Sequence, residues 1–150
     1  MNQVNVLVNI KYRFNFKKDF QAILNAFNEI LQFSTKTIYV DVLITDSKQM
    51  QQISQATRQI DHPTDVLAFP FNLQNSAMDY VFLGEIILCY DKIKQQAKTF
   101  NHSIRREFCF LFAHALVHLA GFDHKTSNKM EQKFNKIVYN IMENVNIRRF

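Results

Sequence analysis

The stretch Phe108-Cys109-Phe110-Leu111-Phe112-Ala113-His114-Ala115-Leu116-Val117-His118-Leu119-Ala120-Gly121-Phe122-Asp123-His124 organises the chain around it. Its first half is almost wholly apolar, which predicts a buried, central helix. Ser103 suits the N-cap, and Gly121 suits the position just past a helix that runs to about Ala120. His114 and His118 stand four residues apart, so at roughly 100° per residue they share one face, one turn apart. Gly121 lets the chain turn back, which can bring His124 to the same point. Burying neutral imidazoles requires partners for their ring nitrogens, and a metal ion supplies one. Three neutral His ligands suit one Zn²⁺ and leave a fourth position for water, as in catalytic more than structural sites. Any one of these histidines by itself reads as a satisfied or exposed polar residue. The spacing with its turn glycine is what favours a metal.

That spacing equals the H-E-x-x-H-x-x-G-x-x-H pattern of metzincin proteases, with one substitution. The general-base Glu after the first His is Ala115 here. Alanine takes no proton from a metal-bound water, so peptide hydrolysis by the usual route is not expected. Proton chemistry must come from elsewhere or from the substrate.

Outward from the histidines, Val4, Val6, Val8 and Ile10 alternate with Asn5, Leu7 and Asn9 as in a strand. Phe20, Ile23, Leu24, Phe27 and Leu31 form one face of a helix. Ile38, Val40, Val42 and Ile44 return to period two. Thr45-Asp46-Ser47 caps a short helix carrying Met50 and Ile53. Val66 to Phe69 and Val81 to Leu88 read as strands on either side of a polar loop from Phe71 to Tyr80. Helices follow at Asp91 to Phe100, behind Ser103, and along Met130, Phe134, Ile137, Val138, Ile141, Met142 and Val145. The order β-α-β-α-β-β-α-α-α predicts an α+β fold. A small mixed sheet of about four strands is backed by several helices, with a central metal-bearing helix, in the manner of a zinc metallohydrolase. No repeat or linker interrupts residues 1–150, which read as a single domain. Periodicity does not say which strands pair.

Composition excludes several classes. At 150 residues, 47% hydrophobic and 21% charged, the chain is globular rather than disordered. No run approaches the roughly 18 uncharged apolar residues of a membrane span. Cys89 and Cys109 cannot form a disulfide framework and read as buried apolar residues. Cys109, five residues before His114, points away from the His face. The N-terminus lacks a signal-peptide pattern, so a reducing cytoplasm is expected. Net charge is +5, which suits an anionic partner such as nucleic acid. The abundance of Lys, Asn, Ile and Phe also fits AT-rich codons.

A second segment carries a family likeness. Arg58-Gln59-Ile60-Asp61-His62-Pro63-Thr64-Asp65-Val66-Leu67-Ala68-Phe69-Pro70 resembles the R-x-x-D-x-P-T-D-V-L-S-F-P signature of YbeY-type proteins. Leu83-Gly84-Glu85-Ile86 resembles the L-G-D-I that follows it, and H-x-x-x-H-x-x-G-x-D-H is the metal motif of that family. All three occur in the family's order and separations, and the likeness covers nearly the whole chain. It implies a bacterial zinc-dependent endoribonuclease acting on single-stranded RNA. The implied role is maturation of ribosomal RNA, chiefly the small-subunit 3′ end, with ribosome quality control. It makes the small ribosomal subunit a partner, His114, His118 and His124 the ligands of one Zn²⁺, and Arg58 the essential arginine. Ala115, Ala68, Glu85, Phe122 and Thr57 depart from the family's Gly, Ser, Asp, Tyr and Tyr.

In the mechanism so implied, the metal polarises the scissile phosphate or activates water, and Arg58 grips phosphate through its planar fork of donors. Position alone equally allows Arg58 an ion pair with Asp61 or Asp65. Asp123 can orient a ligand or serve the turn. No general base is identified, and either water or the RNA 2′-hydroxyl can attack. Arg105, Arg106, Lys129, Lys133, Lys136, Arg148 and Arg149 can meet phosphates or form a solvated face. Tyr80 and Phe71 can stack bases, Phe69 reads rather as core, and Met78 and Asp79 lie in a loop near the site. His62 and His102 have no metal spacing. Two competing functions are a non-catalytic, zinc-stabilised ribosome-binding factor and a metallopeptidase that lacks the usual Glu.

Overall fold

The computed structural model describes residues 2–58, 64–71, 78–122 and 127–147, with Arg58 described through its backbone only. The elements follow the predicted order: β1 (Gln3–Val8), α1 (Lys17–Leu31), β2 (Thr37–Thr45), α2 (Ser47–Arg58), β3 (Val66–Pro70), β4 (Tyr80–Cys89), α3 (Tyr90–Thr99), α4 (Ile104–Leu119) and α5 (Asn128–Val145). The fold is α+β, with a four-stranded mixed sheet in the order β1-β2-β4-β3. β1 and β4 both run parallel to β2, and β3 pairs antiparallel to β4 at the edge. Tyr80 opens β4 instead of ending the polar loop.

Period two in the strands separates the two faces. Ile38, Val40, Val42 and Ile44 of β2 join Leu83, Ile86 and Leu88 of β4 in the main core, beneath α1, α4 and α5. On the other face Ile87 and Cys89 meet Leu67 of β3 and Met50 of α2 in a smaller cluster. Phe69 is half-buried against that cluster and is not part of the main core. A register shift sits where Tyr39 faces Phe82 and Asp41 faces Glu85. Gly84 lies in this irregularity with φ +141°, and a Cβ there would stand 2.2 Å from the Phe69 carbonyl oxygen. Only glycine admits so close a neighbouring strand.

α4 runs through the interior, packed against α1, α3, α5, β3 and β4. Phe112 stacks on Phe20 of α1 with ring centroids 4.1 Å apart. Ser103 caps α4 by accepting from the Arg106 N–H at 3.0 Å, and Ser127 caps α5 by accepting from Met130 at 3.1 Å. Gly121 follows the C-cap with φ +98°, and its N–H donates to His118 O. Among the described residues no helix is long and apolar enough to cross a membrane.

Candidate metal centre

Nine residues of α4, from Phe108 to Leu119, are buried hydrophobics, whereas His114 and His118 are only partly covered. The two imidazoles therefore lie on a partly open face of α4, next to the exposed Phe110 one turn earlier. Their ring centroids are 4.9 Å apart at 69°, as expected for positions one turn apart on one face. Phe134 of α5, itself fully buried, presents its ring to both, at 4.8 Å from His114 and 4.7 Å from His118. One phenyl ring thus restricts both imidazoles. Two imidazoles so held form half of a tetrahedral nitrogen donor set, which fits a zinc ion.

His124 and Asp123 lie outside the described residues, as do Asp61, His62 and the side chain of Arg58. The backbone of Arg58 is the last residue of α2. Among the described residues no cluster of three or more His, Cys, Asp or Glu side chains is gathered. Ala115 faces the main core and is 1% exposed, so the position after His114 offers no proton acceptor. Phe122 lies under the Lys133 ammonium, 5.5 Å from its ring centre.

Several predicted phosphate contacts are committed elsewhere. Arg105 forms a two-point ion pair with Asp19 of α1, both distances 2.8 Å. Arg106 donates from Nη1 to the Ile147 carbonyl oxygen at 2.9 Å. Lys129, Lys133 and Lys136 are exposed on α5, and Arg148 and Arg149 lie outside the described residues. Asp65 accepts from Gln96 Nε2 at 3.2 Å, and its carbonyl accepts from the Cys89 N–H, so it fastens β3 to α3 and to the end of β4. Tyr80 and Phe71 are exposed and rest edgewise on Tyr39 and Phe82. Lys36 Nζ donates to the Met78 carbonyl oxygen at 2.9 Å.

Two features escaped the reading of the sequence. Phe134 was legible as a core residue, but its contact with both imidazoles is not encoded in any spacing. His102 has no metal spacing, yet its Nε2 lies 3.1 Å from Oε2 of Glu107, a carboxylate 4% exposed. An acidic residue in the first turn of an apolar helix was the available signal. Burial, with the nearby Asp65 charge, pushes the Glu107 carboxyl up to about 7, partly offset by Arg106. Cys109 is buried, and desolvation raises its thiol to about 12, helped by Asp19.

The sequence profile of the family described as Endoribonuclease YbeY matches residues 3–146. The Endoribonuclease YbeY of Mycoplasmopsis pulmonis is 42% identical over 151 residues, covering 99% of this chain and all of that protein (100%). That of Mycoplasma mobile is 42% identical over 99% of this chain and 97% of its own length. The solution structure of TM1509 from Thermotoga maritima superposes with a TM-score of 0.58 at 26% identity, covering 94% of this chain and 90% of that one. With its motifs in order along nearly the full length, the chain belongs to the endoribonuclease YbeY family.

Proposed function

We propose that the chain is a zinc-dependent endoribonuclease that cleaves single-stranded RNA. Its substrate is ribosomal RNA on or from the small subunit, at the 3′ end, in maturation and ribosome quality control within the cytoplasm. The observation that carries this is the His114–His118 pair, opened to solvent on a buried helix and held by Phe134. Membership of the family, the +5 charge and the Arg58 to Pro70 segment support it. His114, His118 and His124 would hold the ion. When bound, zinc supplies Lewis acidity at a phosphoryl oxygen and lowers the pKa of a coordinated water toward about 7.

The remaining work falls to the chain. Arg58 ends α2, and its guanidinium would bind the scissile phosphate in a fork and offset charge that grows in the transition state. Ala115 supplies no base, so the attacking hydroxyl loses its proton without help from that position. This argues against a peptidase. The buried surroundings of α4 exclude water beneath the histidines and strengthen every charge contact above them.

Zinc-loaded protein and its Arg58→Ala variant should be compared on a defined single-stranded RNA, with metal content measured in the same samples. Cutting by the first and a loss of about a hundredfold in the second, at equal zinc, is expected. Equal cutting removes Arg58 from the mechanism. Tight binding of the small subunit with no cutting by either would favour a non-catalytic ribosome factor. A cyclic phosphate on the product would identify the 2′-hydroxyl as nucleophile.

A further inference from the structure

A concavity lies on the N-terminal side of the histidines, between the α3–α4 connection and the first two turns of α4. It has a volume of about 270 Å³ and is lined by Phe100, His102, Arg106, Glu107 and Phe110. Two phenyl rings face solvent in it: Phe100 is 52% exposed and Phe110 38%. His102 lies nearly parallel to Phe100, with centroids 6.0 Å apart at 24°. Its Nε2 contacts Glu107, which fixes the imidazole at the floor. Arg106 is anchored through Nη1 to the Ile147 carbonyl oxygen just beyond α5, which sets its guanidinium at one wall. Phe110 joins this cleft to the metal centre, because its ring lies 6.1 Å from that of His114.

We propose that this cleft is a subsite for one unstacked nucleobase of the RNA strand, from the nucleotide beside the phosphate handled at His114 and His118. The inference rests on the ribonuclease function proposed above. Single-stranded RNA is held by stacking of splayed bases on aromatic rings or guanidinium planes, with hydrogen bonds to their edges. The cleft offers all three kinds of group within a few residues. Exposed phenyl rings in a concave, partly polar pocket mark a ligand site more than a solvated surface. The Glu107 carboxyl, pushed up to about 7 by burial, sets less negative charge against a polyanion than an ordinary glutamate, while Arg106 adds a positive one.

Steady-state cleavage of a defined oligoribonucleotide by the zinc-loaded wild type, Phe100→Ala and Phe100→Tyr tests this, each fold first confirmed by circular dichroism. Copies of the RNA with one abasic position, moved along the strand, serve as second probe. KM should rise about tenfold in Phe100→Ala with kcat little changed, and Phe100→Tyr should restore it. An abasic nucleotide beside the cut should cost wild type the same factor and cost Phe100→Ala nothing further. Fluorescence anisotropy with the same RNA reads the same comparison if cutting is absent. An unchanged KM or affinity in Phe100→Ala, with wild type active or binding, overturns the subsite and leaves the ribonuclease standing. RNA neither bound nor cut by wild type overturns both.

Discussion

Cys109 sits five residues before His114, yet it turns into the core, and burial raises its thiol to about 12. Too little thiolate exists at neutral pH to react. Labelling of the folded protein by a thiol reagent should leave Cys109 unmodified until denaturant is added, and fast labelling without unfolding would contradict its placement. Glu107 differs in kind, because its carboxyl is raised from 4.5 to about 7. A raised acid binds more protons folded than unfolded between those values, so stability must fall as pH rises through that window. Its contribution is fully present below the lower value and lost above the upper one. Urea midpoints at about pH 5 and about pH 8 should therefore separate wild type from Glu107→Gln, whose profile lacks this fall. An identical slope in both would place the titration elsewhere. The shared face of His114 and His118 was readable because a helix converts four positions into one direction. The partner of Arg105 was not. Asp19 lies 86 positions from Arg105, and nothing local specifies that such distant groups meet.

At the scale of elements, most strands and helices were readable because they bury one face and burial writes its period into the chain, whereas β4 and α4, buried more widely, were readable from their apolar runs. Strand pairing was not readable, since alternation marks a strand without naming its neighbour. The antiparallel edge of β3 on β4 depends on Gly84, where the approach of the Phe69 carbonyl excludes any side chain. Gly84→Ala should lower stability by well over about 1 kcal/mol, with the loss of amide protection concentrated in Val66–Pro70. A variant as stable as wild type would show that the edge strand can retreat at little cost. Ser103 caps α4 through the Arg106 N–H, and Ser103→Ala should cost about 1 kcal/mol in urea titration. No effect there would mean that the α3–α4 connection, not the cap, sets the start of the helix.

For the molecule as a whole, the candidate centre depends on two helices packed against each other. Phe134 on α5 fills the core and touches both imidazoles of α4. Phe134→Ala should cost about 3–5 kcal/mol, as expected for a buried phenyl ring. Phe134→Leu retains most of the volume, so it should fold while surrendering added zinc to a chelator at lower concentration than wild type does. Equal zinc retention would leave Phe134 as filler alone. The order β1-β2-β4-β3 also bears on how the chain is made. During synthesis β1 and β2 emerge and pair first, while β3 leaves the exit tunnel before the strand it must join. Until Cys89 has emerged, the free edge of β2 is a template for another nascent chain, and β3 has no neighbour. The helix bearing His114 and His118 follows β4 in the chain, so the candidate centre takes shape only once the strand that closes that edge has emerged.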